Sequence, residues 1–181
     1  MRVAFSGAHR TGKTSLIEAV AAGVTGYEVI EEPYRLLEDE GHEFADPPSV
    51  DDFERQLRCS IESVLASPPN ALIDRCPLDL VAYLQVARGF DRDAWLDDVR
   101  DAMAVLDAVI FVPIEVPDRI VVAAHEDLRW RRAVHGAIEA LVVDDALGLE
   151  LEADRIVIAE VAGDLGARVR QVRGVLRVPG G

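Results

Sequence analysis

Residues 7–14 read Gly-Ala-His-Arg-Thr-Gly-Lys-Thr: a glycine, four residues, then Gly-Lys-Thr, set between an apolar run at 2–6 and a helical pattern at 13–22. That spacing in that setting constrains the fold more than any other feature of the chain. Glycines let the backbone curl so that successive N–H groups, with a helix N-terminus behind them, converge on phosphate oxygens. Lys13 supplies a compact, mobile ammonium for β- and γ-phosphates, and the Thr14 hydroxyl suits magnesium. Of 19 basic residues 18 are arginine, so the only lysine stands where the motif requires one. The planar fork of arginine cannot reproduce a point charge inside a tight loop. Gly7, Ala8, His9, Arg10, Thr11, Gly12, Lys13, Thr14 and Ser15 are therefore expected to bind a nucleoside triphosphate. The alternative is a glycine-rich strand-to-helix turn with no ligand.

Short apolar runs at 2–6, 27–31, 70–74, 107–112 and 154–159 read as buried strands. Helical patterns fall between them at 13–22, 34–41, 50–66, 78–88, 92–105, 125–146 and 163–176. This alternation predicts an α/β fold, a five-stranded parallel sheet with helices on both faces in a three-layer sandwich. Half of the 181 residues are hydrophobic, enough for one sizeable core. The expectation is a single domain over 1–177, with a lid region at about 117–147 and a short tail at 178–181. Trp95, Val99, Ala102 and Leu106 read as a core stripe.

A net charge of −14 opposes a broad electrostatic hold on nucleic acid or on an anionic membrane, so any anionic ligand must be gripped locally. The expected partner is a small-molecule acceptor. Cys59 and Cys76 form no Cys-x-x-Cys or Cys/His cluster, and no segment reaches the roughly 20 apolar residues of a spanning helix. A cytoplasmic location fits both facts. With one lysine there is no Asn-Lys-x-Asp guanine motif, so a GTPase has no visible basis, and a short acidic chain is a poor match for a DNA translocase.

Further candidates stand at strand ends, where ligands of α/β sheets bind. Asp74 follows the third apolar run and is read as positioning magnesium or its waters; Arg75 is read as holding an anionic group. A plain strand-end salt bridge is the competing reading. After the second run, Glu32 is a candidate general base for an acceptor hydroxyl, with Tyr34 and Arg35 on the acceptor side. The competing reading there is a solvated turn stiffened by Pro33. Arg129, Arg131 and Arg132 form a basic cluster in which Arg129 and Arg132 share a helix face. They are read as lid residues closing over the triphosphate, Arg131 on the nucleotide and Arg129 and Arg132 on the charge in transfer, against the alternative of a solvated charged face. His42, His125 and His135 carry no assignment, and Cys76 reads as packing rather than as a reactive thiol.

Together these residues resemble the P-loop small-molecule kinases, in particular the AAA-type ATPase/kinase family that includes nicotinamide riboside kinase domains. The resemblance rests on Gly7 to Thr14, Glu32 with Arg35, Asp74-Arg75-Cys76-Pro77-Leu78-Asp79 with Ala82-Tyr83, the 129–132 cluster and residues 154–176. It spans nearly the whole chain, and the acid-Arg and Glu-Pro pairs are also similar to deoxynucleoside kinase motifs. The resemblance implies strand order 2-3-1-4-5, ATP and magnesium as cofactors, and a catalytic carboxylate after the second strand. It also adds Asp79 and Tyr83 to the acceptor side. The activity it implies is ATP-dependent phosphoryl transfer to a nucleoside-like or other small hydroxyl compound. A nucleotide-binding regulator or slow ATPase that switches a protein partner is the alternative.

Overall fold

The computed structural model describes residues 1–115, 127–151 and 156–177. Five strands, β1 (Arg2–Ser6), β2 (Glu28–Ile30), β3 (Ala71–Asp74), β4 (Ala108–Phe111) and β5 (Val157–Glu160), form one parallel sheet in the order β2-β3-β1-β4-β5. The order is the one the resemblance implied. Seven helices connect and cover them: α1 (Lys13–Ala21), α2 (Pro33–Asp39), α3 (Val50–Ala66), α4 (Pro77–Val86), α5 (Arg92–Ala104), α6 (Leu128–Val142) and α7 (Leu165–Leu176).

The strands read as continuous apolar runs because both faces of the sheet are covered. Successive side chains alternate between faces. Val3 and Phe5 of β1, Leu72 of β3 and Ile110 of β4 meet Leu16, Ile17 and Val20 of α1 and Val172 of α7. Their neighbours Ala4, Ile73, Val109 and Phe111 face the opposite way, into the larger core with α3, α4, α5 and α6. Trp95, Val99, Ala102 and Leu106 are buried in that core, as their spacing implies.

Helix starts are set by local chemistry. Ser49 and Asp52 form a reciprocal capping box at α3, and Asp91, Asp127 and Asp164 accept backbone N–H bonds at α5, α6 and α7. The Asp127 cap starts α6 at Leu128 rather than at 125, and the helix ends at Val142 rather than 146. Residues 117–126 of the expected lid, 154–155 of the last expected strand and the 178–181 tail lie outside the described residues, as does His125. Because all strands are parallel, the turns after β1, β2, β3, β4 and β5 open on one edge of the sheet, and the site gathers there.

Candidate active site

The loop after β1 departs from ordinary backbone at three places. Gly7 has φ of 142°, and a Cβ there would stand 2.4 Å from the Val112 carbonyl oxygen, so a side chain has no room. Arg10 takes φ of 55°, and Gly12, at 86°, caps α1 in the left-handed conformation. The helix N-terminus therefore lies directly behind the loop. Lys13 is 5% exposed; its ammonium donates to the carbonyls of Gly7 and Ala8 at 2.8 and 2.9 Å. Burial, and then the Arg75 charge, lower its pKa to about 8 against the opposing pull of Asp79, Asp74 and Glu32.

Parallel pairing of β1 with β3 sets Phe5 level with Asp74 and brings the two strand ends together. Thr14 Oγ1 then donates to Asp74 Oδ2 at 2.7 Å. Asp74 Oδ1 is buried without a hydrogen-bond partner. A hydroxyl and a carboxylate with a spare oxygen are the donor set that suits magnesium, which keeps several waters and takes further ligands from substrate phosphates. Among the described residues no group of three or more His, Cys, Asp or Glu forms a metal cage, so the ion would depend on the nucleotide for the rest of its shell.

Arg75 has φ of 88° and is 8% exposed. Its guanidinium lies 3.3 Å from Glu32 Oε2, 3.9 Å from Asp79 and 5.4 Å from the centre of the Tyr83 ring. Burial works against its charge, but Tyr83, Asp79, Glu32 and Asp74 outweigh burial and hold its pKa above the ordinary value. Burial pushes the Asp79 carboxyl up to about 6, although Arg75, Lys13 and the bonds from Ser6 and Gly7 pull it down.

A cavity of about 1130 Å³ opens over these groups. His9, Arg10, Gly12, Lys13, Thr14 and Ser15 line it together with Glu32, Tyr34, Arg35, Arg75 and Tyr83, so most of the expected residues meet there. Four of its other residues were not anticipated: Phe53 and Gln56 of α3, and Asp127 and Trp130 at the start of α6. Phe53, Tyr83 and Trp130 stack, with ring centres 5.2 and 6.5 Å apart. Phe53 and Trp130 sit in ordinary amphipathic patterns, and Gln56, one turn from Phe53, is with Asp52 and Ser60 a polar residue among the buried positions of α3.

Four residues, Asp79, Arg129, Arg132 and Arg131, sit elsewhere than their sequence context suggested. Asp79 does not line the cavity: fully buried beneath the loop, it accepts from the Ser6 hydroxyl and, at 3.2 Å, from the Gly7 N–H. Its place in the first turn of α4 points it back under β1. Arg129 and Arg132 are exposed and outside the cavity lining, whereas Arg131 between them is 2% exposed and donates to the carbonyls of His9 and Arg10 at 3.1 and 3.0 Å. A helix turns about 100° per residue, so Arg129, two residues before, and Arg132, one after, both leave the face that buries Arg131. His9 touches the Tyr83 hydroxyl through its backbone N–H at 3.2 Å and its ring Nδ1 at 2.9 Å. Cys76 is buried 3.5 Å from the Met103 sulfur, and burial followed by Asp79 raises its thiol pKa, so it packs and does not react.

Five parallel strands in this order, a glycine loop capping a helix and a lone buried lysine over an acid at the adjacent strand end define a phosphate-loop α/β domain. The chain belongs to the AAA domain family, whose sequence model matches residues 2–168. The fold is shared with the NadR protein solved with NAD and AMP-PNP, at 18% identity and a TM-score of 0.66, covering 99% of this chain and 50% of that one. This chain thus spans half the length of that NadR chain. Thymidylate kinase from Ehrlichia chaffeensis matches at 18% identity and a TM-score of 0.62 over 98% of both chains. Deoxyadenosine kinase from M. mycoides matches at 15% and 0.65, over 97% of this chain and 98% of its own. No curated protein matches the sequence. Among the described residues no helix is long and apolar enough to cross a membrane.

Proposed function

We propose that the chain is a magnesium- and ATP-dependent kinase that transfers a phosphoryl group to a small hydroxyl compound of nucleoside-like size. One observation carries this reading: a single cavity is lined by Lys13 and Thr14 together with Glu32, Arg75, Tyr34, Phe53 and Trp130. Its 1130 Å³ exceeds the roughly 300–1000 Å³ that holds one drug-sized ligand, which leaves room for an acceptor beside a triphosphate. The kinases that share the fold support the same reading.

In this scheme the loop N–H groups and the Lys13 ammonium hold the β- and γ-phosphates and neutralise charge as it moves. Thr14 and Asp74 hold magnesium and its waters, which supply further charge neutralisation on the phosphates when the ion is bound. Glu32, fixed by Arg75, accepts the proton from the acceptor hydroxyl as its oxygen attacks the γ-phosphorus. The bond from that phosphorus to the bridging oxygen breaks, and ADP leaves. Tyr34 and Arg35 contact the acceptor, and Tyr83 forms part of its wall. Arg129 and Arg132 turn inward over the transferring group as part of a lid at 117–147 of one domain spanning 1–177. The reaction belongs in a reducing cytoplasm, where Cys59 and Cys76 stay free.

The test is ADP release from ATP with and without a panel of nucleosides. Strong stimulation by one compound is the expected result. A rate that no small hydroxyl compound raises, but a protein partner does, replaces the kinase with a nucleotide-driven switch.

A further inference from the structure

The carbonyls of His9, Arg10 and Thr11, three in a row on the phosphate loop, are each bonded to an arginine from the C-terminal part of the chain. Arg131 of α6 spans the first two through Nε and Nη2. Arg168 of α7, 7% exposed, donates from Nη1 to the Thr11 carbonyl at 2.8 Å. Its Nη2 lies 3.3 Å from Glu115 Oε1, and the same oxygen accepts the N–H of Gly163. Glu115 follows β4 and Gly163 follows β5, so one carboxylate and two guanidinium groups join the loops after three strands.

We propose that Arg131 and Arg168 are positioning residues for phosphate binding, acting through the loop backbone rather than on the nucleotide. Within each peptide the C=O and N–H point in opposite directions, so fixing the carbonyls outward keeps the N–H groups turned toward the phosphate. The loop needs such support because Arg10 is held in the left-handed region that non-glycine residues avoid. A guanidinium suits the task, since its fork reaches two acceptors at once and cannot lose its charge when buried. Glu115 in turn fixes the Arg168 fork. The brace stands on the loop geometry itself, and its effect on affinity rests on the nucleotide-binding reading above.

The experiment follows backbone amide exchange by NMR in the protein without nucleotide, for the wild type, Arg131→Ala, Arg131→Lys, Arg168→Ala, Arg168→Lys and Glu115→Gln, with Tm measured alongside. Amides of the loop are expected to exchange about 10-fold faster or more in the Arg variants, while those of β1 and β3 keep their wild-type rates. ATP affinity is expected to fall by about 10- to 100-fold, with lysine at either position restoring little, because an ammonium cannot span the two acceptors. Adenosine, which has no phosphate, is expected to bind equally to all. If loop exchange stays at wild-type rates in every variant, the proposal is overturned. It is overturned for Arg131 if ATP affinity falls with no change in loop exchange and Arg131→Lys restores it, the mark of a direct phosphate contact. Where an alanine variant fails to fold, Arg168→Lys and Glu115→Gln give the same reading of the loop. A wild type that binds no ATP removes the proposed function, and the exchange rates still decide the brace.

Discussion

Thr14 and Asp74, 60 residues apart in sequence, are joined by a 2.7 Å hydrogen bond between hydroxyl and carboxylate, while Glu32 is held by a different partner, the Arg75 guanidinium at 3.3 Å. The two carboxylates thus have different partners, in keeping with the separate roles proposed for them. Asp74→Asn is expected to move the magnesium midpoint of turnover to higher concentration. Glu32→Gln is expected to lower turnover by about 10²–10⁴-fold and leave that midpoint in place. A magnesium titration of both variants with the stimulating acceptor checks the assignment. A midpoint shift in Glu32→Gln alone reverses the roles.

Lys13 is the only lysine, so one isotope-labelled lysine signal reports its charge without overlap. Its midpoint is expected at about 8 without nucleotide and higher with ATP bound. ATP affinity should be constant below that value and fall as pH rises through it, because the neutral amine no longer holds phosphate. Stability moves the opposite way: the unfolded chain binds more protons between about 8 and 10.5, so over that window this group makes the fold more stable as pH rises. Lys13→Ala should accordingly abolish nucleotide binding and keep Tm at or above the wild-type value.

Arg129→Ala and Arg132→Ala are expected to lower turnover more than ATP affinity, because both side chains are exposed at the start of α6 and would engage only as charge develops on the transferring group. Steady-state kinetics beside ATP titrations separate the two effects. Loss of ATP binding alone would move these arginines from the transferring group to the bound nucleotide.

Gly7→Ala tests the backbone of the loop. The added Cβ would meet the Val112 carbonyl at 2.4 Å in a conformation that side chains rarely adopt, and Val112 is fully buried in the core. We expect a loss of roughly 2–4 kcal/mol in chemical denaturation, together with loss of ATP binding. A wild-type midpoint would mean that the turn relaxes without cost.

The phosphate loop, the five strands and the seven helices were legible along the chain because each depends on residues close in sequence: a glycine spacing, an apolar run, a three- to four-residue period. The pairing of Asp74 with Thr14 followed from strand order, since adjacent parallel strands end side by side. What the sequence left open was which way a side chain turns once its helix has docked. Periodicity puts Arg129 and Arg132 on one face of α6 and Arg131 on another, but contact with a loop more than 120 residues away decides that Arg131 is the buried one. For the same reason Asp79, read as lying on the acceptor side, lies under Ser6 and Gly7, and Phe53, Gln56 and Trp130, which no motif singles out, wall the cavity. A helix records its own faces locally, whereas the face that meets the cleft is chosen by packing against elements far along the chain, and only the tertiary structure holds that information.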